Sequence, residues 1–197
     1  MDSKVVIYKS KYGRSRKYAR WISEKLECKC MDSDEFDAND LELYDTIIYG
    51  AGIYAGVLNG IDWMNKFSED IRDKNIIIFS CGITDPEDEE HRNKINKAIE
   101  KEIPECAKNT TKIFNFRGGI DYSRISLVDK AKITVIRKVL EKKEYATLTK
   151  EERNFAYEYT KNMDFTNKEC IRELVEYVNN IDECVEDIEN ETQETKE

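Results

Sequence analysis

A surplus of positive charge and long apolar runs are what this sequence lacks, and it has a single histidine. Its 41 acidic residues outnumber 32 basic ones, a formal net charge of −9, which argues against nucleic acid or an acidic membrane as the default partner. No run approaches the ~18 apolar residues of a membrane span. Met1-Asp2-Ser3-Lys4 leads into a short apolar stretch without the long hydrophobic region of a signal peptide, so a cytoplasmic protein is expected. The one histidine, His91, sits in Glu89-Glu90-His91-Arg92, where a solvated side chain is expected. There is no Cys-x-x-Cys. Cys28-Lys29-Cys30 lacks the further ligands a metal needs and reads as two thiols on one face of a short strand. Together with Cys81, Cys106, Cys170 and Cys184 they are expected as free thiols, because no secretion signal points to an oxidising compartment. What is present is a chain of 197 residues, 40% hydrophobic, which excludes fibrous and fully disordered classes. At roughly 150 residues per domain it suits one domain with additions.

Short β-branched runs alternate with amphipathic stretches, the sign of a parallel sheet covered by helices. The strand candidates are Lys4 to Tyr8, Cys28 to Asp32, Thr46 to Gly50, Asn75 to Phe79 and Lys112 to Phe116. The fourth is so continuously apolar that both faces should be buried. Tyr18, Ala19, Ile22 and Leu26 recur at helical spacing after the first strand, and a helix is expected over Ile61 to Phe67. Thr84-Asp85-Pro86-Glu87 offers a cap, a proline and acid for a helix start, with an end near Pro104. Beyond the fifth strand two helices are expected, Ser126 to Lys143 and Thr149 to Met163, the second opening with the capping box Thr149-x-x-Glu152. A last helix opens at Thr166-x-x-Glu169 and carries Ile171, Leu174, Val175 and Val178 on one face. The stripe Ile171, Leu174, Val178, Ile181, Val185 and Ile188 either continues that helix or frays where Asp182, Glu183, Glu186 and Asp187 oppose its dipole.

The chemistry-bearing candidates cluster after strands one, three and four. Ser10-Lys11-Tyr12-Gly13-Arg14-Ser15 offers two hydroxyls, successive N–H groups around Gly13 and the positive end of a helix, which suits a phosphate dianion as well as it suits an ordinary turn. In a doubly wound sheet that turn lies at the carboxyl edge, where ligands bind. The stretch resembles the phosphate loop of the flavodoxin-like family, Thr/Ser-x-Thr-Gly-x-Thr/Ser, matching at Ser10, Gly13 and Ser15, with Tyr12 in place of the central threonine. The resemblance continues in order at Ala51-Gly52-Ile53-Tyr54-Ala55-Gly56 and at Ser80-Cys81-Gly82-Ile83-Thr84, which look like the two loops that clasp an isoalloxazine. It implies an α/β flavodoxin-like fold, a doubly wound five-stranded parallel sheet of order 2-1-3-4-5, with FMN as cofactor. Ser10 to Ser15 would take the phosphate, Gly52 to Ala55 would tune the ring near its N5, and Ser80 to Ile83 would face its N1 and pyrimidine edge. Tyr54 would stack on the ring or pack as a boundary aromatic. Cys81 is expected as a small side chain behind the ring rather than a redox thiol. Gly50-x-Gly52-x-x-x-Gly56 follows the wrong strand for a dinucleotide fingerprint, and Tyr49-Gly50-Ala51-Gly52 has no phosphoacceptor aspartate for a receiver domain.

The whole-chain layout is most similar to the branch that includes the menaquinone-dependent protoporphyrinogen dehydrogenases, which carry an extra segment between strand five and the last helix. Here that helical insert spans about residues 118–165 of a domain over 1–181. From Arg117 to Lys143 there are eight basic and three acidic residues. Val128, Ala131, Val135 and Val139, flanked by Ile133, Ile136 and Leu140, make a wide apolar face bordered by cations. That face would touch an anionic membrane or hold a carboxylated substrate, or it packs on the domain while the lysines are solvated. Three functions follow. They are an electron carrier with a redox protein partner, a dehydrogenase using a small-molecule reductant and a quinone, and a fold that has lost FMN; the retained loops count against the third. The acidic tail, 182–197, holds eight acidic residues and one basic, so the rest of the chain is nearly neutral.

Overall fold

A computed structural model describes residues 3–54, 56–158 and 162–181. β1 (Lys4–Lys9), β2 (Lys29–Asp32), β3 (Thr46–Tyr54), β5 (Asn75–Gly82) and β6 (Thr111–Arg117) form a parallel sheet in the order β2-β1-β3-β5-β6. A two-residue strand, β4 (Val57–Leu58), folds back antiparallel on the end of β3. With β4 set aside, this is the five-stranded order expected from the sequence.

The central strands form because both faces are wanted for burial. Val6, Ile48, Ile77 and Phe79 point to one side, against Tyr18, Ala19 and Ile22 of α1 (Arg14–Leu26) and Ile171, Leu174 and Val178. Val5, Ile47, Tyr49, Ile76 and Ile78 point to the other, against Met64 of α2 (Trp63–Lys66) and Ile95 and Ile99 of α3 (Glu89–Glu102). Each fully buried isoleucine contributes about 1.5–3 kcal/mol. Cys28 and Cys30 both pack partly against the α1 side.

Local boundaries depart from the sequence expectation for identifiable reasons. β3 and β5 do not end at Gly50 and Phe79. They run on through Tyr54 and Gly82, so most of the two expected loops is strand. α3 starts at Glu89, not at Pro86, because Asp85 turns onto Glu87 N (3.1 Å) and Asp88 caps the helix by accepting from His91 N (3.1 Å). Among the described residues, the helix expected from Thr149 to Met163 is α5 (Lys150–Arg153) followed by a π-turn, Asn154–Glu158, with Met163 already in a strand; its capping box forms, and residues 159–161 lie outside the described residues. Asn167, rather than Thr166, accepts from Glu169 N (3.0 Å) at the start of the last helix; Thr166 Oγ1 is engaged by Asp164 and Lys17 instead. After a 3₁₀ turn at Lys168–Ile171, residues 172–181 are helical, α6. Ala55 and residues 182–197, which hold the tail and the end of the apolar stripe, lie outside the described residues.

The segment between β6 and α6 leaves and returns at one point. Gly118 N donates to Gly82 O (2.5 Å) and Phe165 N to Gly118 O (2.9 Å). β7 (Gly119–Ile120) pairs antiparallel with β8 (Met163–Asp164). A Cβ on Gly119 would lie 2.2 Å from Met163 O, so only glycine closes this clasp. Within the excursion lies α4 (Leu127–Glu141), whose Leu140 packs with Leu148, Phe155 and Ala156. Among the described residues no helix is long and apolar enough to cross a membrane.

Candidate functional site

The turn after β1 delivers the phosphate-loop candidates to the carboxyl edge of the sheet. Gly13 takes φ +86°, a left-handed conformation glycine adopts without penalty, and it precedes α1 with no side chain capping the helix. The first N–H groups of α1 are therefore available at its positive end. Ser10 Oγ accepts from Gly13 N (3.1 Å), which fixes the turn and leaves the hydroxyl proton to donate. A cavity of about 190 Å³ opens here, lined by Ser10, Lys11, Tyr12, Gly13, Arg16 and Arg124. Ordinary ligand clefts span roughly 300–1,000 Å³. This volume suits an anionic end group, not a whole nucleotide.

Two of the expected phosphate-loop residues, Arg14 and Ser15, do not line this cavity. Ser15 is buried, with its side chain hydrogen-bonded to Cys81, which leaves only its backbone to the loop. Arg14 points away to Asp164, Nη1 to Oδ2 at 3.1 Å. Arg16 and Arg124 were not foreseen. Arg16 sits in the first turn of α1 and is readable once that helix is placed; Arg124 comes from the excursion, and no local pattern connects it to residue 10. Asp129 was also missed. It lies at the start of α4, capped by Ser126, and takes hydrogen bonds from both Lys11 Nζ and Tyr12 Oη. Those two donors hold its carboxyl well below the usual range, at about 2.

The other two segments are arranged unequally. Tyr54 folds back along β3, so that a Cβ on Gly52 would lie 2.9 Å from its hydroxyl. Its ring meets Tyr12 edge to face at 6.3 Å, with Lys11 Nζ 5.5 and 5.8 Å from the two ring centroids. Tyr54 and Tyr12 thus form an aromatic wall beside the loop, and burial raises the Tyr54 hydroxyl's pKa. Ala51 is buried and Ile53 half-buried in the strand. After β5, Gly82 has open space where a side chain would project, and Ile83 O accepts from Arg117 Nε (3.3 Å). Ser80 turns away from the edge: it is buried and donates to Asn115 Oδ1 (2.6 Å). Cys81 is buried against Gly118, and desolvation pushes its thiol up to about 12. At neutral pH it is a neutral packing group.

A doubly wound parallel sheet with a glycine turn at its carboxyl edge is an α/β class whose ligands bind at that edge. The sequence profile of the flavodoxin domain matches residues 5–147, and the chain belongs to that family. Its solved structural neighbours include a flavodoxin from the domain Archaea (12% identity, 69% of this chain and 97% of that one, TM-score 0.39). Flavodoxin 2 of Bacillus cereus is 18% identical over 58% of this chain and 83% of that one (TM-score 0.38). Flavodoxin 1 of the same organism is 16% identical over 64% and 90% (TM-score 0.37). No curated protein matches the chain. Family membership implies a flavin cofactor. The residues present fit its anionic end, on the strength of the uncapped helix start, the left-handed Gly13 and the cations Lys11, Arg16 and Arg124 around one cavity.

Proposed function

We propose that this protein binds FMN, with its phosphate in the Ser10 to Ser15 loop, and works as an electron carrier for a redox protein partner. The cavity at Ser10, Lys11, Tyr12, Gly13, Arg16 and Arg124 is the observation that supports this reading most. The bound flavin would supply the redox chemistry. Backbone N–H groups at the start of α1 and the Ser10 hydroxyl would donate to phosphate oxygens, while Arg16 and Arg124 neutralise their charge. Tyr54 and Tyr12 would wall the ring on one side, and Gly82 leaves space for its edge. Ser80 and Cys81 only pack, and no side chain is assigned a proton-transfer role.

Anaerobic reductive titration of the flavin-loaded protein tests the carrier reading. Two resolved one-electron steps are expected. A single two-electron step, together with direct reduction by protoporphyrinogen, would favour a dehydrogenase instead.

A further inference from the structure

α4 presents to solvent the face that a helix of a soluble domain ordinarily hides. Val128, Ala131, Val135 and Val139 recur every three or four residues and so form one stripe. Val128, Val135 and Val139 are 65%, 61% and 54% exposed, with Leu127 (82%) at the tip and Ile136 (47%) alongside. The orientation is set by the opposite face. Asp129 is held by Lys11 and Tyr12, Arg137 Nη2 donates to Tyr122 Oη (3.0 Å), and Leu140 is buried in the small core of the excursion. Rotating the stripe inward would break all three contacts.

We propose that α4 is a peripheral docking helix that lays this stripe on an anionic lipid surface. Charge complementarity selects the occupant. By helical spacing Lys132 and Lys138 lie on either side of the valines, both exposed, and α4 with the two residues after it, 127–143, carries six basic against two acidic residues. An interfacial helix of this kind buries its apolar side about 5–10 Å deep while its cations meet lipid headgroups. A second copy of the chain fits worse, because apposing two such helices would bring like-charged lysines together. The proposal does not depend on the flavin reading, and vesicle binding is measured without regard to cofactor.

The test is co-sedimentation of the full chain with vesicles of phosphatidylglycerol and phosphatidylcholine, against phosphatidylcholine alone, at low and high salt. Binding to the anionic vesicles is expected, at least about ten-fold weaker to the neutral ones, and weakened by salt. Val135→Asp with Val139→Asp should abolish it. Lys132→Gln with Lys138→Gln should lower the partition constant about twenty-five-fold, about five-fold per lysine. All four side chains are exposed, so the variants should keep the parent's circular dichroism and unfolding midpoint. Equal binding to both vesicle types, or folded variants that bind like the parent, would overturn the proposal. So would a parent that dimerises without binding vesicles and that Val135→Asp renders monomeric, which would assign the stripe to a second copy.

Discussion

Two side chains near the loop carry opposite lessons about charge. Asp129 is exposed enough to stay ionised, and Lys11 and Tyr12 hold its carboxyl at about 2. Its lowered pKa means that the docked state of α4 is favoured above the ordinary carboxylate range of about 4 and loses that support as pH falls through about 2. Asp129→Asn should therefore raise amide hydrogen exchange at residues 126–130 at neutral pH, with the sheet amides unchanged; unchanged exchange at 126–130 would contradict the clamp. Cys81 is the reverse case, since burial raises its thiol to about 12. A raised folded-state value gives stability that is complete below about pH 8.5 and is lost as pH rises toward 12. A thiol reagent at pH 8 should leave Cys81 unmodified until the protein is denatured. Modification in the folded state, located by peptide mass, would contradict its burial.

At the scale of elements, strand identity was legible and strand ends were not. Ile76 to Phe79 and Ile47 to Tyr49 announce themselves by apolar runs. Gly52 and Gly82 read as loop residues, yet both lie in strands, and at Gly50 and Gly52 the missing side chains make room for neighbours. Phe79 lies across Gly50, where a Cβ would fall 1.8 Å from its ring, and Tyr54 lies across Gly52. Gly50→Ala should destabilise the fold by about 1–3 kcal/mol through overpacking, read as a lower denaturant midpoint with unchanged slope; a midpoint equal to the parent's would show that the ring can move. The helix starts were half legible. The Thr149 capping box forms, but Asp88 and Asn167 cap where Thr84-Asp85-Pro86 and Thr166 were expected. In both cases the displaced group has a distant partner: Arg117 pairs with Asp85 (3.2 Å) and Lys17 donates to Thr166 Oγ1 (2.7 Å). Such long-range contacts leave no periodic trace in the sequence.

Across the whole molecule, the excursion between β6 and α6 is tied to the candidate site at both ends. Asp129 reaches Lys11 and Tyr12 from its outgoing helix, and Asp164 pairs with Arg14 and Lys17 from its returning strand. The loop motif was readable from Ser10, Gly13 and Ser15, but Arg16 and Arg124, which line one cavity with Ser10 to Gly13, meet only through the fold. The sequence could show that the segment was basic, not that it would bring an arginine to the phosphate loop while turning its valines outward. Loss of the second cation is expected to weaken FMN binding: Arg124→Glu should lower affinity at least about ten-fold, because a charge-assisted contact becomes a repulsion. An affinity equal to the parent's would remove Arg124 from the site. The central claim, that this loop holds a phosphate, is tested most directly by titrating the flavin-free protein with FMN and with riboflavin, following the quenching of flavin fluorescence. FMN should bind at least about ten-fold more tightly than riboflavin; equal affinities, or no uptake of FMN at all, would contradict it.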